Sequence, residues 1–473
     1  MPKDNHRRIQ GIKMNSEFQA IIMAGGKGSR MTELTSKRSK CLLPIGNLPM
    51  IWYPLRLLEK SGFREAIVVV TEQIKNDVQV ALDRTGLKIH TDIVGIPGGE
   101  DWGTADTLRH LEDSNKIKSD VVIVSCDLIT DVDLSVVINR FRQHEASLAT
   151  LFFQPTPATV ILPTPGPKSK NKTERDLVAI DPATSRLVFL ASASDYEETL
   201  ELSRGLLKKH GKVQLYSKLL DAHVYVMRRW LTKYLSHNRN MSTLKGELIP
   251  YTVKKQFSRP PSAKHDHEKA ASVVYSFPKT ELIDMAEEEK LASKVRSMSS
   301  YSDHRGDQRP AYHGDLIRCY AHIASEQNFA TRANTLQEYC RINREIVDRW
   351  TAITGEVELV SVAPSAVVAS SQLERESCLV GEKAVVAERT SVKASILGPH
   401  SIIKPRTRVL NSVLMSGSQV GEGCVIVNCV LCADAVVEDS CDLKDCLVGS
   451  HIVSAGEKHS NEVLTDDHLI EIV

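Results

Sequence analysis

Apolar residues in the first half of the chain fall into short runs that alternate with helical patterns. Between the first two runs, Ile51, Leu55 and Leu58 recur at helical spacing, and we expect Pro49 to open this helix and Gly62 to close it. This alternation predicts a mainly parallel sheet flanked by helices over residues 18–257. The clearest predicted strands are Ile21–Met23, Ala66–Thr71, Val121–Ser125, Leu148–Phe153 and Ala222–Met227.

A different period governs the chain from about Leu359 onward. Aliphatic residues recur every 17 positions, and within each repeat the aliphatic positions step by six, six and five. Three short faces per turn, each with one inward aliphatic residue, predict a triangular parallel β-helix. The pattern resembles the hexapeptide-repeat left-handed β-helix, with about five coils and a length of about 24 Å. The repeating positions are Val380, Leu397, Leu414, Leu431 and Val448, and the predicted glycine corners are Gly381, Gly398, Gly421 and Gly449.

The remaining segments lack either period. Residues 1–17 are predicted to be a flexible arm, because they are basic and lack the apolar region of a signal sequence. Residues 155–175, rich in Pro, Thr and Lys, are predicted to form an exposed loop. Residues 258–314 have no apolar periodicity and are predicted to be disordered. Residues 315–358 then connect the α/β domain to the β-helix at 359–473.

Composition narrows the class of protein. The 473 residues include 60 Lys and Arg against 59 Asp and Glu, a net charge of +1, so we expect no direct nucleic-acid partner. No apolar run approaches the roughly 18 residues that would cross a bilayer, so no membrane partner is expected. Ten cysteines beside aliphatic residues suit a reducing compartment, and a cytosolic location is the expectation.

Cysteines in the last repeats could form either a zinc site or part of the β-helix core. Cys429 and Cys432 have the spacing of a zinc knuckle, with Cys424, Cys441 and Cys446 nearby. However, Cys424 and Cys441 are 17 residues apart, as are Cys429 and Cys446, so each pair is expected to stack in adjacent coils. Structural packing is therefore favoured, and zinc is the alternative. The second ladder extends backward through the small residues Ser412, Ser395 and Cys378.

Two histidines raise a further alternative, because β-helix acyltransferases use a histidine between coils as a base. His400 and His451 lie in or near the predicted coils. Both are next to Gly or Ser residues at predicted corners. We therefore expect exposed surface histidines rather than catalytic ones.

A glycine-rich loop follows the first predicted strand. Gly25, Gly26 and Gly28 let backbone N–H groups approach a phosphate, and Arg30 and Lys40 can neutralise its charge. The loop is neither a Walker motif nor a dinucleotide fingerprint. It resembles the G-G-x-G-x-R…P-K signature of the sugar-1-phosphate nucleotidyltransferases. That resemblance implies that the arginine and lysine hold the phosphates and balance charge as pyrophosphate leaves.

Two further segments match this family. Gly103 and Thr104 correspond to its G-T-A segment, which opens a helix and contacts the base. Asp127 ends a predicted strand at the carboxyl edge of the sheet, where α/β ligands bind, and the resemblance implies the first magnesium aspartate. A strand-terminal aspartate is also often a turn or capping residue.

Other positions depart from the family. Ser39 replaces the proline before the lysine, and Cys126 replaces the glycine before the aspartate. Residues 187–194 have neither the Glu nor the Lys of the sugar-phosphate anchor, and no tryptophan begins the W-x-D-x-G segment with the second metal aspartate. Because two-metal transfer needs two carboxylates, we expect no catalytic residue, no metal and no cofactor. The expectation is a vestigial site, with residual nucleotide binding open, at Gly25, Gly26, Gly28, Arg30, Lys40, Gly103, Thr104 and Asp127.

Longer segments resemble the gamma-subunit family of eukaryotic translation initiation factor 2B. They are residues 19–32, 48–55, 219–225 and 246–257. The resemblance implies a non-catalytic subunit that helps the complex release GDP from translation initiation factor 2. Its implied partners are the epsilon, beta, delta and alpha subunits and translation initiation factor 2. Since the chain ends at Val473, soon after Gly449, we expect no helical-repeat exchange domain like that of epsilon. The alternative is an enzyme that transfers a nucleotidyl group to a sugar 1-phosphate.

Overall fold

A computed structural model describes residues 17–98, 102–155, 163–166, 175–196, 199–258, 281–286, 298 and 312–465. Its helices, numbered α1 to α11 in chain order, are Thr32–Thr35, Trp52–Lys60, Lys75–Asp83, Thr104–Asp113, Ser135–Gln143, Arg204–Lys209, Arg229–His237, Ile249–Lys255, Leu282–Ala286, Leu336–Glu345 and Trp350–Thr354. Short 3-10 turns cover Lys40–Leu42, Glu72–Ile74 and Ala193–Asp195, and a π-helical turn covers Leu244–Leu248. Within these ranges, no helix is long and apolar enough to span a membrane.

The strands of the α/β domain are numbered β1 to β14. In chain order they are Phe18–Met23, Pro44–Ile45, Leu48–Pro49, Glu65–Thr71, His90–Ile96, Asp120–Ser125, Leu128–Thr130, Leu148–Phe153, Asp176–Asp181, Arg186–Ser192, Gln214–Tyr216, Leu220–Met227, Cys319–Ile323 and Ala330–Arg332.

One ten-stranded sheet forms the centre of this domain, in the order β11-β9-β10-β13-β8-β12-β6-β1-β4-β5. The strands β6, β1, β4 and β5 are parallel, and helices cover both faces. Successive residues of β1 pack on opposite sides: Ile21 joins one apolar cluster and Ile22 the other, and both are fully buried. The predicted α/β class and strands are therefore confirmed. The sheet is mixed rather than mainly parallel, because β12 runs antiparallel to β6 and β8, and β9 runs antiparallel to β10 and β11.

The predicted helix between β1 and β4 is α2, and it begins later than expected. Pro49 pairs with Pro44 in the short β2–β3 hairpin, so α2 begins at Trp52. Gly62 follows the end of α2 with a φ of +88°, which suits glycine and confirms its predicted closing role.

Two segments beyond residue 257 belong to this domain. Strand β13 lies between β8 and β10, parallel to β8, so the sheet extends past the boundary expected from the sequence and 315–358 is more than a connector. The sequence period missed β13 because polar residues interrupt its apolar positions. Within the predicted disordered segment 258–314, α9 packs on the domain through Leu282, which is fully buried. Most of that segment lies outside the described residues, as do nearly all of the arm 1–17 and much of the loop 155–175.

The second domain is a parallel β-helix with three six-stranded sheets, as its period predicts. The described residues form six coils instead of about five, because the pairing register is 17 residues in the middle but 18 between Val367 and Val385 and 16 between Val436 and Ile452. A search for an exact 17-residue repeat therefore misses the coils at both ends. Its strands, β15 to β32, are Val367–Val368, Gln372–Leu373, Leu379–Val380, Val385–Val386, Ser391–Lys393, Ile396–Leu397, Ile402–Ile403, Arg408–Leu410, Val413–Leu414, Gln419–Val420, Val425–Val427, Val430–Leu431, Val436–Val437, Asp442–Lys444, Leu447–Val448, Ile452–Val453, Lys458–Ser460 and Val463–Leu464.

We name the three sheets by what covers them. The docked face contains β17, β20, β23, β26, β29 and β32; the outer face contains β15, β18, β21, β24, β27 and β30; and the polar face contains the other six strands.

The corners combine close backbone approach with left-handed residues. At Gly398, a Cβ would lie 2.7 Å from backbone atoms of Met415 and Ser416, so a larger residue would push the next coil away. His400, two residues on, has a φ of +60° and is exposed, as predicted for a corner histidine. His451 is half-buried.

The small-residue ladder inside the β-helix links successive coils by hydrogen bonds. The N–H of Ser412 donates to Ser395 Oγ at 3.2 Å, and the N–H of Cys429 donates to Ser412 Oγ at 3.1 Å. The N–H of Cys446 donates to Cys429 Sγ at 3.4 Å. The predicted stacking of cysteines is thus confirmed, with all ten buried. Over the ranges given above, no group of three or more His, Cys, Asp or Glu residues is placed to hold a metal ion.

Apolar packing fixes the β-helix against the α/β domain. The outward row of the docked face joins one cluster with Trp52 of α2, Tyr339 of α10 and Trp350 of α11. The rings of Trp52 and Trp350 stack with centroids 6.1 Å apart. The members of the row are Leu379, Ile396, Val413, Val430 and Leu447, each at most 6% exposed.

The loop 155–175 also contributes to this contact, against the expectation of an exposed loop. The N–H of Gly166 donates to the carbonyl of Asp445 at 2.8 Å, and Asn428 Nδ2 donates to the carbonyl of Pro163 at 2.9 Å. Pro165 is buried. The sequence gives no sign of this docking, because the acceptor and donor groups lie more than 250 residues away along the chain.

Two isoleucines of one coil offer a matched test of this packing. Ile396→Ala empties a buried position on the docked face and should lower the free energy of unfolding by about 2–4 kcal/mol. Ile402→Ala removes a side chain that is 37% exposed on the outer face and should cost about 1 kcal/mol or less. Urea unfolding followed by tryptophan fluorescence measures both. Equal losses would contradict the assignment of a docked and an uncovered face.

Candidate functional site

The sequence-predicted site residues lie at the carboxyl ends of β1 and β6, beside a cavity of about 940 Å³. Arg30, Gly103 and Thr104 line this cavity.

The loop after β1 carries the glycines. At Gly28 the φ is +77°, and a Cβ would lie 2.8 Å from Thr35 Cγ2, so glycine is needed for the turn. Gly25 contacts Ile96 of β5, whereas Gly26 is open on its surface.

Asp127 lies just beyond β6, and two cations hold it. Its carboxylate is 1% exposed and accepts a hydrogen bond from Lys40 Nζ at 2.5 Å. Arg332 binds both carboxylate oxygens, with Nε 2.9 Å from Oδ1 and Nη2 2.9 Å from Oδ2. Ser125 Oγ donates to Oδ1 at 2.7 Å. The structure thus joins two predicted residues, Lys40 and Asp127, directly, and adds Arg332, which the sequence did not indicate.

This buried group combines two cations with one carboxylate. Burial opposes ionisation of Asp127, but the nearby Arg332 and Lys40 outweigh it and hold the pKa of the carboxyl well below its usual value. Burial likewise opposes the charge of Arg332, and Asp127 outweighs that effect and raises the guanidinium pKa. Both groups are therefore ionised at neutral pH and form a bidentate ion pair.

This arrangement does not fit a magnesium ion. Both oxygens of Asp127 already accept hydrogen bonds from cationic groups, and a divalent ion there would have to displace Arg332 and Lys40. Mg²⁺ also requires oxygen ligands in octahedral geometry, whereas the nearest charged neighbours of Asp127 are nitrogen cations. The guanidinium of Arg332 supplies the positive charge that a metal would otherwise bring.

A small antiparallel sheet brings Arg332 to this place. Strand β14 pairs with β7, with Arg332 opposite Leu128, and the N–H of Ala333 donates to the carbonyl of Asp127 at 2.9 Å. Arg332 is 205 residues from Asp127 along the chain. A single arginine in a short strand carries no local signal, so sequence reasoning missed it.

Hydrogen-bonding groups of the predicted base-contact segment bind other residues of the chain, at positions 242–244. Gly103 lies at the N-terminus of α4, and its N–H donates to Asp106 Oδ2 at 3.1 Å. The N–H of Ala105 donates to the carbonyl of Ser242 at 2.9 Å, and the N–H of Leu244 donates to Thr104 Oγ1 at 2.8 Å. Groups that the nucleotidyltransferase resemblance assigns to a base are thus used to hold residues 242–244.

That loop is fastened on its other side as well. Glu247 Oε2 accepts hydrogen bonds from the N–H groups of Ser242 and Thr243, each at 2.7 Å. Burial raises the pKa of Glu247, but the backbone hydrogen bonds outweigh it and lower the pKa overall. Arg109 Nη2 donates to the carbonyl of Met241 at 2.7 Å. The loop is therefore part of the folded domain.

Another buried carboxyl group, that of Asp221, is hydrogen-bonded to the backbone of the cavity residue His223. Asp221 of β12 accepts hydrogen bonds from the N–H of His223 at 2.7 Å and from Tyr225 Oη at 2.6 Å. Burial raises the pKa of Asp221. His223 lines the cavity at a bulge in the strand, with a φ of +51°; burial and the charge of Arg332 hold its pKa well below the usual value. Lys245 also lines the cavity and pairs with Asp176 at 3.0 Å.

Sequence reasoning missed four polar residues here: the buried Asp221 and the cavity residues His223, Asp176 and Lys245. A signal was available for the first two, because a polar pair interrupts an otherwise apolar strand at residues 219–227. The other two lie on segments whose approach to the cavity depends on the sheet order.

Comparisons with known proteins agree with the two domains. The family described as Nucleotidyl transferase matches residues 19–159, and the family described as GlmU-like, C-terminal hexapeptide matches residues 362–443. The gamma subunit of translation initiation factor eIF2B from Schizosaccharomyces pombe is 30% identical over 395 residues, which cover 82% of this chain and 75% of that protein. The Caenorhabditis elegans gamma subunit is 33% identical over 245 residues, covering 51% of this chain and 59% of that protein.

An epsilon subunit of the same factor is also similar to this chain. The epsilon subunit of translation initiation factor eIF2B from Schizosaccharomyces pombe is 20% identical over 346 residues, covering 72% of this chain and 41% of that protein. Fold and site together define a nucleotidyltransferase-like protein with a hexapeptide β-helix and an aspartate neutralised by arginine. Within that class, the chain belongs to the family of translation initiation factor eIF2B gamma subunits.

Removal of Arg332 should be costly because it leaves a buried carboxylate with one cation. We expect Arg332→Met to lower the free energy of unfolding by about 3–5 kcal/mol. The double variant Arg332→Met with Asp127→Asn should recover much of that loss, since the buried carboxylate that lost its bidentate partner is no longer present. Urea denaturation of the single and double variants measures the coupling. Additive losses would show that the two residues do not stabilise each other.

The depressed pKa of Asp127 gives a pH signature. A carboxyl group with a folded pKa below its unfolded value of about 3.9 stabilises the fold above the unfolded pKa, and this contribution is lost as the pH falls through the folded pKa. The stability difference between the native chain and Asp127→Asn should be constant from about pH 5 to 7 and shrink below about pH 4. Unfolding measured across this range tests it. A difference that grows on acidification would contradict the ion-pair geometry.

Proposed function

We propose that this chain is a non-catalytic subunit of the translation initiation factor 2B complex. In that complex it would act with the epsilon subunit to promote release of GDP from translation initiation factor 2. Membership of the gamma-subunit family supports this role, as does the similarity to an epsilon subunit. The further proposed partners are the beta, delta and alpha subunits and translation initiation factor 2, and the proposed location is the cytosol.

The observation that carries the non-catalytic part is the pairing of Arg332 with both oxygens of Asp127. Nucleotidyl transfer by a two-metal route needs free carboxylates to clamp the ions. Here one carboxylate is neutralised, and Asp221 accepts hydrogen bonds from its own strand. The first turn of α4 is also engaged by residues 242–244. We therefore propose that the domain serves as scaffold and binding surface and uses no cofactor.

Exchange and transfer assays on the same preparations separate this role from enzymatic nucleotidyl transfer. We expect the full chain, mixed with an epsilon subunit, to accelerate release of fluorescent GDP from translation initiation factor 2. Arg30→Ala changes an exposed loop residue and should leave this acceleration unchanged. With nucleoside triphosphates, magnesium and a panel of sugar 1-phosphates, the chain should release no pyrophosphate above a Lys40→Ala control.

Two results would reject the proposal. The first is pyrophosphate release that is lost in both Lys40→Ala and Arg30→Ala, which would make the chain a nucleotidyltransferase. The second is failure of the folded chain to co-purify with an epsilon subunit or to affect GDP release.

A further inference from the structure

A buried histidine outside the cavity has a ring nitrogen to which no described residue binds. His210, directly after α6, is only 2% exposed, and its Nδ1 lies 2.8 Å from Oδ2 of Asp181 at the end of β9. Its Nε2 is also buried, and it has no hydrogen-bond partner among the described residues. A buried polar atom without a partner is costly, so this nitrogen points to a bound group. Neither residue lines the cavity of about 940 Å³.

The hydrogen bond to Asp181 limits what that group can be. Burial opposes ionisation of Asp181, but hydrogen bonds from the His210 ring and the N–H of Ala183 outweigh it and lower its pKa. A carboxylate only accepts hydrogen bonds, so in the neutral ring Nδ1 carries the proton and Nε2 keeps a lone pair. A carboxylate that orients a histidine in this way is the usual outer partner of a histidine that binds a metal ion.

A second histidine lies close enough to share such an ion. The ring centroids of His210 and His313 are 4.8 Å apart, with 64° between the ring planes. A Zn²⁺ ion about 2.0–2.1 Å from two ring nitrogens in tetrahedral geometry would separate the ring centroids by about 5 Å. His313 is exposed, so its ring can turn a nitrogen towards His210 Nε2. Burial and the neighbouring His210 lower the pKa of His313, which favours the neutral form that binds metals.

The charged groups around the two histidines do not oppose a cation. Asp315 pairs with Lys209 of α6 and, at 3.0 Å, with Arg186 of β10. Together with Asp181, these groups carry two negative and two positive formal charges, which cancel. Asp315 is engaged by both cations and is no third ligand, which agrees with the lack of any larger ligand group across the described ranges.

We propose that His210 and His313 form a structural site for Zn²⁺, with water in the remaining coordination positions. Imidazole is a preferred ligand of Zn²⁺, and the exposure of His313 gives water access to the ion. The ion would join α6 to the start of the stretch 312–465, where the chain returns to the sheet as β13. It would take no part in nucleotidyl chemistry, because both histidines lie outside the cavity.

Titration of the full chain with ZnCl₂ by isothermal titration calorimetry tests the site. His313→Asn removes the exposed ligand without backbone strain, because asparagine also adopts the left-handed conformation of His313, with a φ of +52°. It should weaken Zn²⁺ binding by about tenfold or more. His400→Asn is the matched control, since His400 is also exposed and has a φ of +60°. This variant should bind Zn²⁺ like the native chain, and circular dichroism of both variants excludes a folding defect.

Asp181→Asn tests the orientation of His210 separately. The asparagine amide would donate to Nδ1, which moves the ring proton to Nε2 and removes the lone pair from the site. We expect Zn²⁺ affinity to fall about 10–100-fold. In the native chain, Zn²⁺ should also raise the urea midpoint of unfolding, an effect that His313→Asn should lose and His400→Asn should keep.

Three results would overturn the site. They are Zn²⁺ binding by folded His313→Asn with native affinity, equal loss of binding in His313→Asn and His400→Asn, and no saturable Zn²⁺ binding by the native chain. Each would leave the proposed function intact, because the assays of GDP release do not depend on this ion.

Discussion

The arrangement of the site in the α/β domain depends on the bidentate ion pair between Asp127 and Arg332. A fully buried carboxylate is stable only with compensation, and here Arg332 and Lys40 provide it from two directions. The pair also fixes topology, because Arg332 belongs to β14, which lies beyond the last strand of the sheet and pairs with β7. A segment far along the chain thereby reaches the edge of the sheet that carries the predicted site.

Other polar groups around the cavity are likewise hydrogen-bonded within the chain. Donor groups at the start of α4 and the hydroxyl of Thr104 hold the loop at residues 242–244, and Asp221 is satisfied by its own strand. These hydrogen bonds stabilise the fold around the cavity. The apolar contact with the β-helix fixes the second domain against the first. Under the proposed function, this contact would hold the outer surfaces of both domains in a defined arrangement.

Periodic features were predictable from sequence, whereas features that depend on distant pairing were not. The 17-residue repeat predicted the β-helix and the stacking of Cys429 on Cys446, because each coil repeats the same contacts. Apolar runs predicted the central strands for the same local reason. Strand β13, Arg332 and the docking of Gly166 had no such signal, since each gains its role from a partner more than a hundred residues away. The glycine loop correctly indicated similarity to nucleotidyltransferases. The pairing of Asp127 with Arg332 had no signal near that loop.

The central claim is that arginine, and not a metal ion, neutralises Asp127. Electron paramagnetic resonance of Mn²⁺ titrated into the full chain, with and without a nucleoside triphosphate, tests it most directly. We expect the native chain and Asp127→Asn to deplete free Mn²⁺ equally, because both carboxylate oxygens already accept hydrogen bonds from Arg332 and Lys40. One tightly bound Mn²⁺ per chain that disappears in Asp127→Asn would contradict it.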